Sequence, residues 1–89
     1  MGELFDRIRA AVRDDRFLVS WHADDRCEQR QVAVWQVVAG LEDARLQGER
    51  PASEPHPSLV VRQELVDGTE VEVVRAWMPE SGRAMLVTV

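Results

Sequence analysis

The apolar positions change period part-way along the chain, from helical spacing in the first half to strand alternation in the second. Leu4, Phe5, Ile8, Ala11 and Val12 recur at helical intervals, with arginines and aspartates between them. That spacing predicts an amphipathic helix from Glu3 to about Arg13, with its apolar stripe turned to a core. Phe17-Leu18-Val19 is a short apolar run that ends at Ser20. Serine is a good N-cap because its hydroxyl accepts from an otherwise unpaired amide of the first turn. Asp24 and Asp25 then fall near the positive end of the helix dipole. The reading is a brief strand followed by a helix over about Trp21–Arg30, burying Ala23 and Cys27.

A further helix is expected from about Ala33 to Arg45. Val34, Val38 and Leu41 form its stripe, Trp35 and Val37 widen it, and Gly40 weakens it. Gly48, Pro51, Pro55 and Pro57 predict a loop from Gln47 to Pro57, long enough to be a candidate binding loop.

From Ser58 the pattern is β. Leu59–Leu65 and Val71–Trp77 flank Val66-Asp67-Gly68-Thr69, a hairpin signal. A two-residue turn would set Val66 against Thr69 and mix apolar with charged residues on both faces. A three-residue loop with Gly68 left-handed pairs Leu65 with Thr69 instead. Leu59, Val61, Leu65, Val71, Val73 and Trp77 then share one face, and Arg62, Glu64, Glu70 and Glu72 the other, as a half-buried antiparallel sheet requires. Met78–Arg83 turns the chain into a last strand, Ala84–Val89. The expected fold is therefore α+β: N-terminal helices, with one short strand, packed on a C-terminal antiparallel meander.

Composition narrows the class. Eighty-nine residues, 45% hydrophobic and 30% charged, suit one soluble domain over residues 1–89. No apolar run approaches the ~18 residues of a membrane span. The start of the chain is acidic and amphipathic rather than signal-like, so a cytoplasmic protein is expected. Cys27 is the only cysteine, which excludes an intrachain disulfide and a multi-cysteine zinc site. All eleven basic residues are arginine and the net charge is −5, which counts against indiscriminate nucleic-acid binding.

His22, Arg26 and Arg30 stand at i, i+4 and i+8 and line one helix face. An imidazole titrates near neutrality, and guanidinium groups grip phosphate in a bidentate fashion. Together they supply what metal-independent RNA cleavage needs, a general acid or base and cations for the developing phosphorane charge. The same row also reads as an ordinary solvated helix face with Asp25 or Glu28 as ion-pair partners.

The segment Phe17-Leu18-Val19-Ser20-Trp21-His22-Ala23-Asp24-Asp25-Arg26-Cys27-Glu28-Gln29-Arg30-Gln31-Val32 resembles the opening signature of the uncharacterised DUF4258 domain family. Its marks are Ser20, His22, Ala23, Arg26 and Arg30. The later helix, the proline-containing loop, the Asp-Gly hairpin and the terminal Leu86-Val87-Thr88-Val89 also fit. The resemblance implies a fold like the small bacterial ribonuclease toxins of RelE and barnase-like type. It implies a toxin-like endoribonuclease, with His22 as general acid or base, Arg26 and Arg30 on phosphate, RNA as substrate and a cognate antitoxin as protein partner. Two features depart from the pattern: Gln31 stands where glycine is frequent, and the last strand stops at Val89 where related sequences run on.

The alternative function is a non-catalytic protein-interaction domain, which an exposed tryptophan in a groove beside His22 would favour. A third class, an anion or small-molecule sensor, requires an enclosed pocket behind the row. Arg75 shares the apolar hairpin face and either points toward the helix carrying His22 or snorkels at the sheet rim. Trp21, Trp35 and Trp77 either pack in a core or interface or stack bases. His22, Cys27 and His56 lack the spacing of metal ligands, and nothing calls for a cofactor.

Overall fold

A computed structural model describes residues 2–65 and 67–89. Among these residues the chain forms three α-helices, a 3-10 turn and five strands, an α+β fold. Helix α1 spans Glu3–Arg13, strand β1 Phe17–Val19, helix α2 Trp21–Gln29 and helix α3 Val34–Ala39. A 3-10 turn, Gly40–Asp43, leads into β2, Arg45–Arg50. Strands β3 (Ser58–Glu64), β4 (Glu70–Met78) and β5 (Arg83–Thr88) complete the chain. The sheet order is β1-β5-β4-β3-β2, and every pairing is antiparallel except β1 with β5. No helix among the described residues is long and apolar enough to cross a membrane.

Local patterning accounts for most of this. In α1, Leu4, Ile8 and Ala11 are buried in a cluster with Leu59, Val61, Val71, Val73 and Leu86 of the sheet. The hairpin adopts the bulged loop. Gly68 has φ +89°, Glu64 pairs with Glu70, and Leu65 donates to the Thr69 carbonyl at 2.7 Å. Thr69 N–H in turn donates to Asp67 Oδ1 at 2.9 Å, which holds that carboxyl below its ordinary pKa. The rejected pairing of Val66 with Thr69 falls on a residue outside those described.

Four expectations need correction. The helix from Ala33 stops at Ala39 rather than Arg45, because the chain tightens at Gly40 where it crosses Gln63. A Cβ on Gly40 would stand 2.6 Å from Gln63 Nε2. Trp35 does not join the buried stripe but is 70% exposed. The loop from Gln47 is shorter than expected, since Arg45–Arg50 is an edge strand on β3 with a bulge between Leu46 and Gly48. That strand escapes a pattern search because Leu46 is its one apolar side chain and the bulge interrupts its alternation. The meander of three strands is therefore the centre of a five-stranded sheet.

The fourth correction concerns Arg75. It neither snorkels nor reaches toward α2: it is 1% exposed on the helix-covered face of the central strand. Its Nη2 donates to the Val37 carbonyl of α3 at 2.7 Å and to Gln63 Oε1 at 3.0 Å. Gln63 Nε2 donates to the same carbonyl at 2.9 Å. The two side chains thus satisfy the last turn of α3, where unpaired carbonyls leave partial negative charge. No carboxylate pairs with Arg75 among the described residues, and burial pushes its pKa down to about 10.

Candidate functional site

The signature segment is built outward from Ser20. Its backbone N–H donates to Leu86 O at 3.0 Å, and its Oγ accepts from Ala23 N–H at 3.0 Å as the N-cap of α2. The same hydroxyl donates to Val87 O at 2.7 Å. Val87 is the extra residue where β5 slips against β4, between the pairs Arg75–Leu86 and Val74–Thr88. A bulge takes a residue out of the ladder and leaves its polar groups to find other partners. Ser20 therefore caps a helix and satisfies a bulged strand with one side chain. Ala23 and Cys27, one turn apart, are fully buried beneath α2, and burial raises the Cys27 thiol pKa.

At the other end of α2, Gln31 adopts φ +57°. Gln31 N–H reaches Glu28 O at 3.1 Å and Val32 N–H reaches Cys27 O at 2.9 Å. Those two bonds make a Schellman cap, which ordinarily places glycine at this left-handed position. The helix end is thus formed as a glycine would form it, with glutamine bearing the steric penalty. Two marks of the signature, Ser20 and Ala23, and the frequent glycine position are accounted for by architecture.

His22, Arg26 and Arg30 do line the outer side of α2. His22 and Arg30 are exposed and Arg26 is half-buried. Arg26 Nε donates to Val89 O and Nη1 to Gln29 Oε1, each at 3.4 Å. Among the described residues none of the three pairs with an Asp or Glu side chain, so Asp25 and Glu28 do not neutralise the row. His22 and Arg30 stand roughly 12 Å apart along the axis at ~1.5 Å per residue, too far to meet on one small group without long side-chain reach. Arg30 lines an open cleft of about 480 Å³ with Gln31, Val32, Gln36, Leu65, Asp67 and Thr69, and His22 is not part of its wall. No group of three or more His, Cys, Asp or Glu in metal-binding array occurs among the described residues.

A different surface stands out on another face of α2. Trp21, next to His22, is 90% exposed. It forms a cleft of about 380 Å³ with Val19, Ser20, Asp24 and Val34. Val34 is also part of the wall of a larger, mostly apolar cleft of about 580 Å³, where Val12, Phe17, Trp35 and Val38 meet the Arg13–Glu42 pair and Asp15. The two clefts adjoin at Val34 and present both exposed tryptophans. The sequence offers Trp21 and Trp35 as packing or stacking residues, and an exposed tryptophan beside His22 as the mark of an interaction domain. Their exposure is set by which faces of α2 and α3 the rest of the chain covers, and that is not a local property.

Arg13 Nε donates to Glu42 Oε1 at 2.6 Å and Nη2 to Oε2 at 2.9 Å, with Arg9 adding a bond at 3.4 Å. The arginine clamp holds the Glu42 carboxyl at about 2, well below the usual carboxylate range. This fork ties α1 to the 3-10 turn along one bank of the larger cleft. Comparison with known protein families, curated proteins and solved structures gives no match to this chain.

Proposed function

We propose that this chain is a protein-interaction domain whose binding surface is the pair of clefts carrying Trp21 and Trp35. The observation that carries the reading is the exposure of both indoles, 90% and 70%, around a shared apolar wall. An indole offers about 150–250 Å² of contact, so covering one is worth on the order of 4 kcal/mol before the costs of association. Contiguous exposed apolar surface of this kind is typical of a binding patch, and tryptophan is prominent among residues that dominate binding energy. An enzyme site, by contrast, gathers its reactive groups into one cavity, which His22 and Arg30 do not share.

The test is site-specific photocrosslinking from positions 21 and 35, with exposed Arg83 as the control position. The expected result is one protein crosslinked from positions 21 and 35 but not from 83. Its purified complex should weaken at least tenfold with Trp21→Ala or Trp35→Ala while the melting temperature stays within about 2 °C. Identical crosslinks from all three positions, or unchanged binding by both variants, would remove the proposal.

A second reading is the toxin-like endoribonuclease, favoured by one observation: His22, Arg26 and Arg30 carry no Asp or Glu partner among the described residues. In that reading His22 serves as general acid or base and the arginines hold phosphate. Incubating structured and single-stranded RNA with the protein and with His22→Ala tests it. Equal cleavage by both, or none, removes it.

A further inference from the structure

The two ends of the sheet are not alike. The β2 edge carries Arg45, Glu49, Arg50 and a bulge, features that discourage pairing with another chain. The β1 edge carries Phe17, Leu18 and Val19, with no charge and no bulge.

The hydrogen bonds at its ends set the phase of the β1–β5 ladder. Ala84 N–H donates to Arg16 O at 3.1 Å and Ser20 N–H to Leu86 O at 3.0 Å, around the pairs Phe17–Ala84 and Val19–Leu86. In a parallel pair of this phase Leu18 turns its amide and carbonyl to β5, while those of Phe17 and Val19 turn outward. No partner for these four outward groups exists among the described residues. Phe17 forms part of the larger cleft and Val19 part of the smaller one. At ~3.3 Å per residue the two lie about 6.6 Å apart, the interval between alternate side chains of a strand.

We propose that the β1 edge accepts an extended segment of a partner protein as a sixth strand. Two bulky apolar side chains at i and i+2 of that segment enter the clefts on either side of Val34. This deepens, and rests on, the reading of the tryptophan surface as an interaction site. Main-chain bonds to Phe17 and Val19 supply affinity, and the alternate side chains supply specificity. The segment is basic at its flanks. Of the charged residues around the clefts, Arg13 is already held by Glu42, which leaves Asp15 and Asp24 at the two ends without an ion-pair partner among the described residues. A second copy of the chain is a poor occupant, since β1 against β1 would bring those aspartates together on molecules that each carry −5.

The probe is the synthetic peptide Arg-Thr-Leu-Thr-Leu-Thr-Arg, followed by tryptophan fluorescence and calorimetry. A helix-forming peptide of equal charge and leucine content runs beside it. Two further versions carry N-methyl groups on the leucine amides or on the threonine amides. Binding of the extended peptide, abolished by one alternate methylation set and kept with the other, is the expected result. Asp15→Asn and Asp24→Asn should each weaken it about two- to fivefold. Val19→Pro, which deletes an outward amide and leaves the β5 ladder intact, should abolish it.

Methylation that acts equally at both sets, or binding of the helical peptide alone in a manner sensitive to Trp21→Ala, overturns strand addition while leaving the interaction surface standing. No response to either peptide, with photocrosslinks also absent from position 21, overturns both readings. A dimer in sedimentation that Val19→Pro dissociates would make the occupant a second copy and likewise overturn the proposal.

Discussion

Replacing Ser20 separates architecture from chemistry in the signature segment. Ser20→Ala removes two bonds at once: the cap accepted from Ala23 N–H at 3.0 Å and the bond donated to Val87 O at 2.7 Å. Losing a serine N-cap costs about 1 kcal/mol. Leaving the half-buried carbonyl of the bulge without its donor costs roughly another 1–2 kcal/mol. Together, about 2–3 kcal/mol is a large share of the ~5–15 kcal/mol that stabilises a typical domain. For a chain of this size each kcal/mol moves the melting temperature by roughly 4–8 °C, so at 2 kcal/mol a fall of about 8–16 °C is expected. Two further variants divide the effect. Ser20→Thr keeps both bonds and should stay within about 0.5 kcal/mol of the parent, in line with threonine's slightly poorer capping. Ser20→Asp keeps the cap, but an ionised carboxylate cannot donate to Val87 O, so it should fall between the other two. Urea denaturation followed by far-UV circular dichroism gives all three free energies on one scale. A Ser20→Ala variant within 0.5 kcal/mol of the parent, or an aspartate variant as stable as the threonine one, would refute the dual role.

Two other substitutions probe the same framework. Gln31→Gly relieves a side chain held at φ +57° and should stabilise the fold by about 0.5–1 kcal/mol, after glycine's greater unfolded-state entropy is subtracted; the check is a rise in urea midpoint with unchanged slope. The Arg13–Glu42 clamp stabilises through a depressed carboxyl, so its contribution is present above the ordinary carboxylate pKa of 4.5 and is lost as pH falls toward about 2. Between pH 5 and pH 3, Glu42→Gln should therefore lose less stability than the parent, measured by urea melts at both values.

Much of the fold follows from short-range pattern. The stripe of α1, the N-cap at Ser20 and the hairpin register around Gly68 are each specified by residues within a turn or a few pleats. Local sterics and one-sided burial leave few alternatives there. The candidate row His22, Arg26 and Arg30 was equally legible, because helical spacing alone aligns it. Whether those residues share a cavity was not.

Only the tertiary structure decided the rest, because the deciding contacts lie far apart in sequence. Strand β2 exists because β3 offers a ladder to a segment with little apolar character of its own. Arg75 is buried because the end of α3, thirty-eight residues earlier, presents the Val37 carbonyl that satisfies it. Trp21 and Trp35 look like core residues in composition, yet the folded chain leaves both indoles in water. The free edge of β1 arises because β5 returns from the far end of the chain to pair with one side of it only. Periodicity reports which face of an element is apolar. What covers that face depends on chain closure over tens of residues, and here part of the apolar surface is left for a partner.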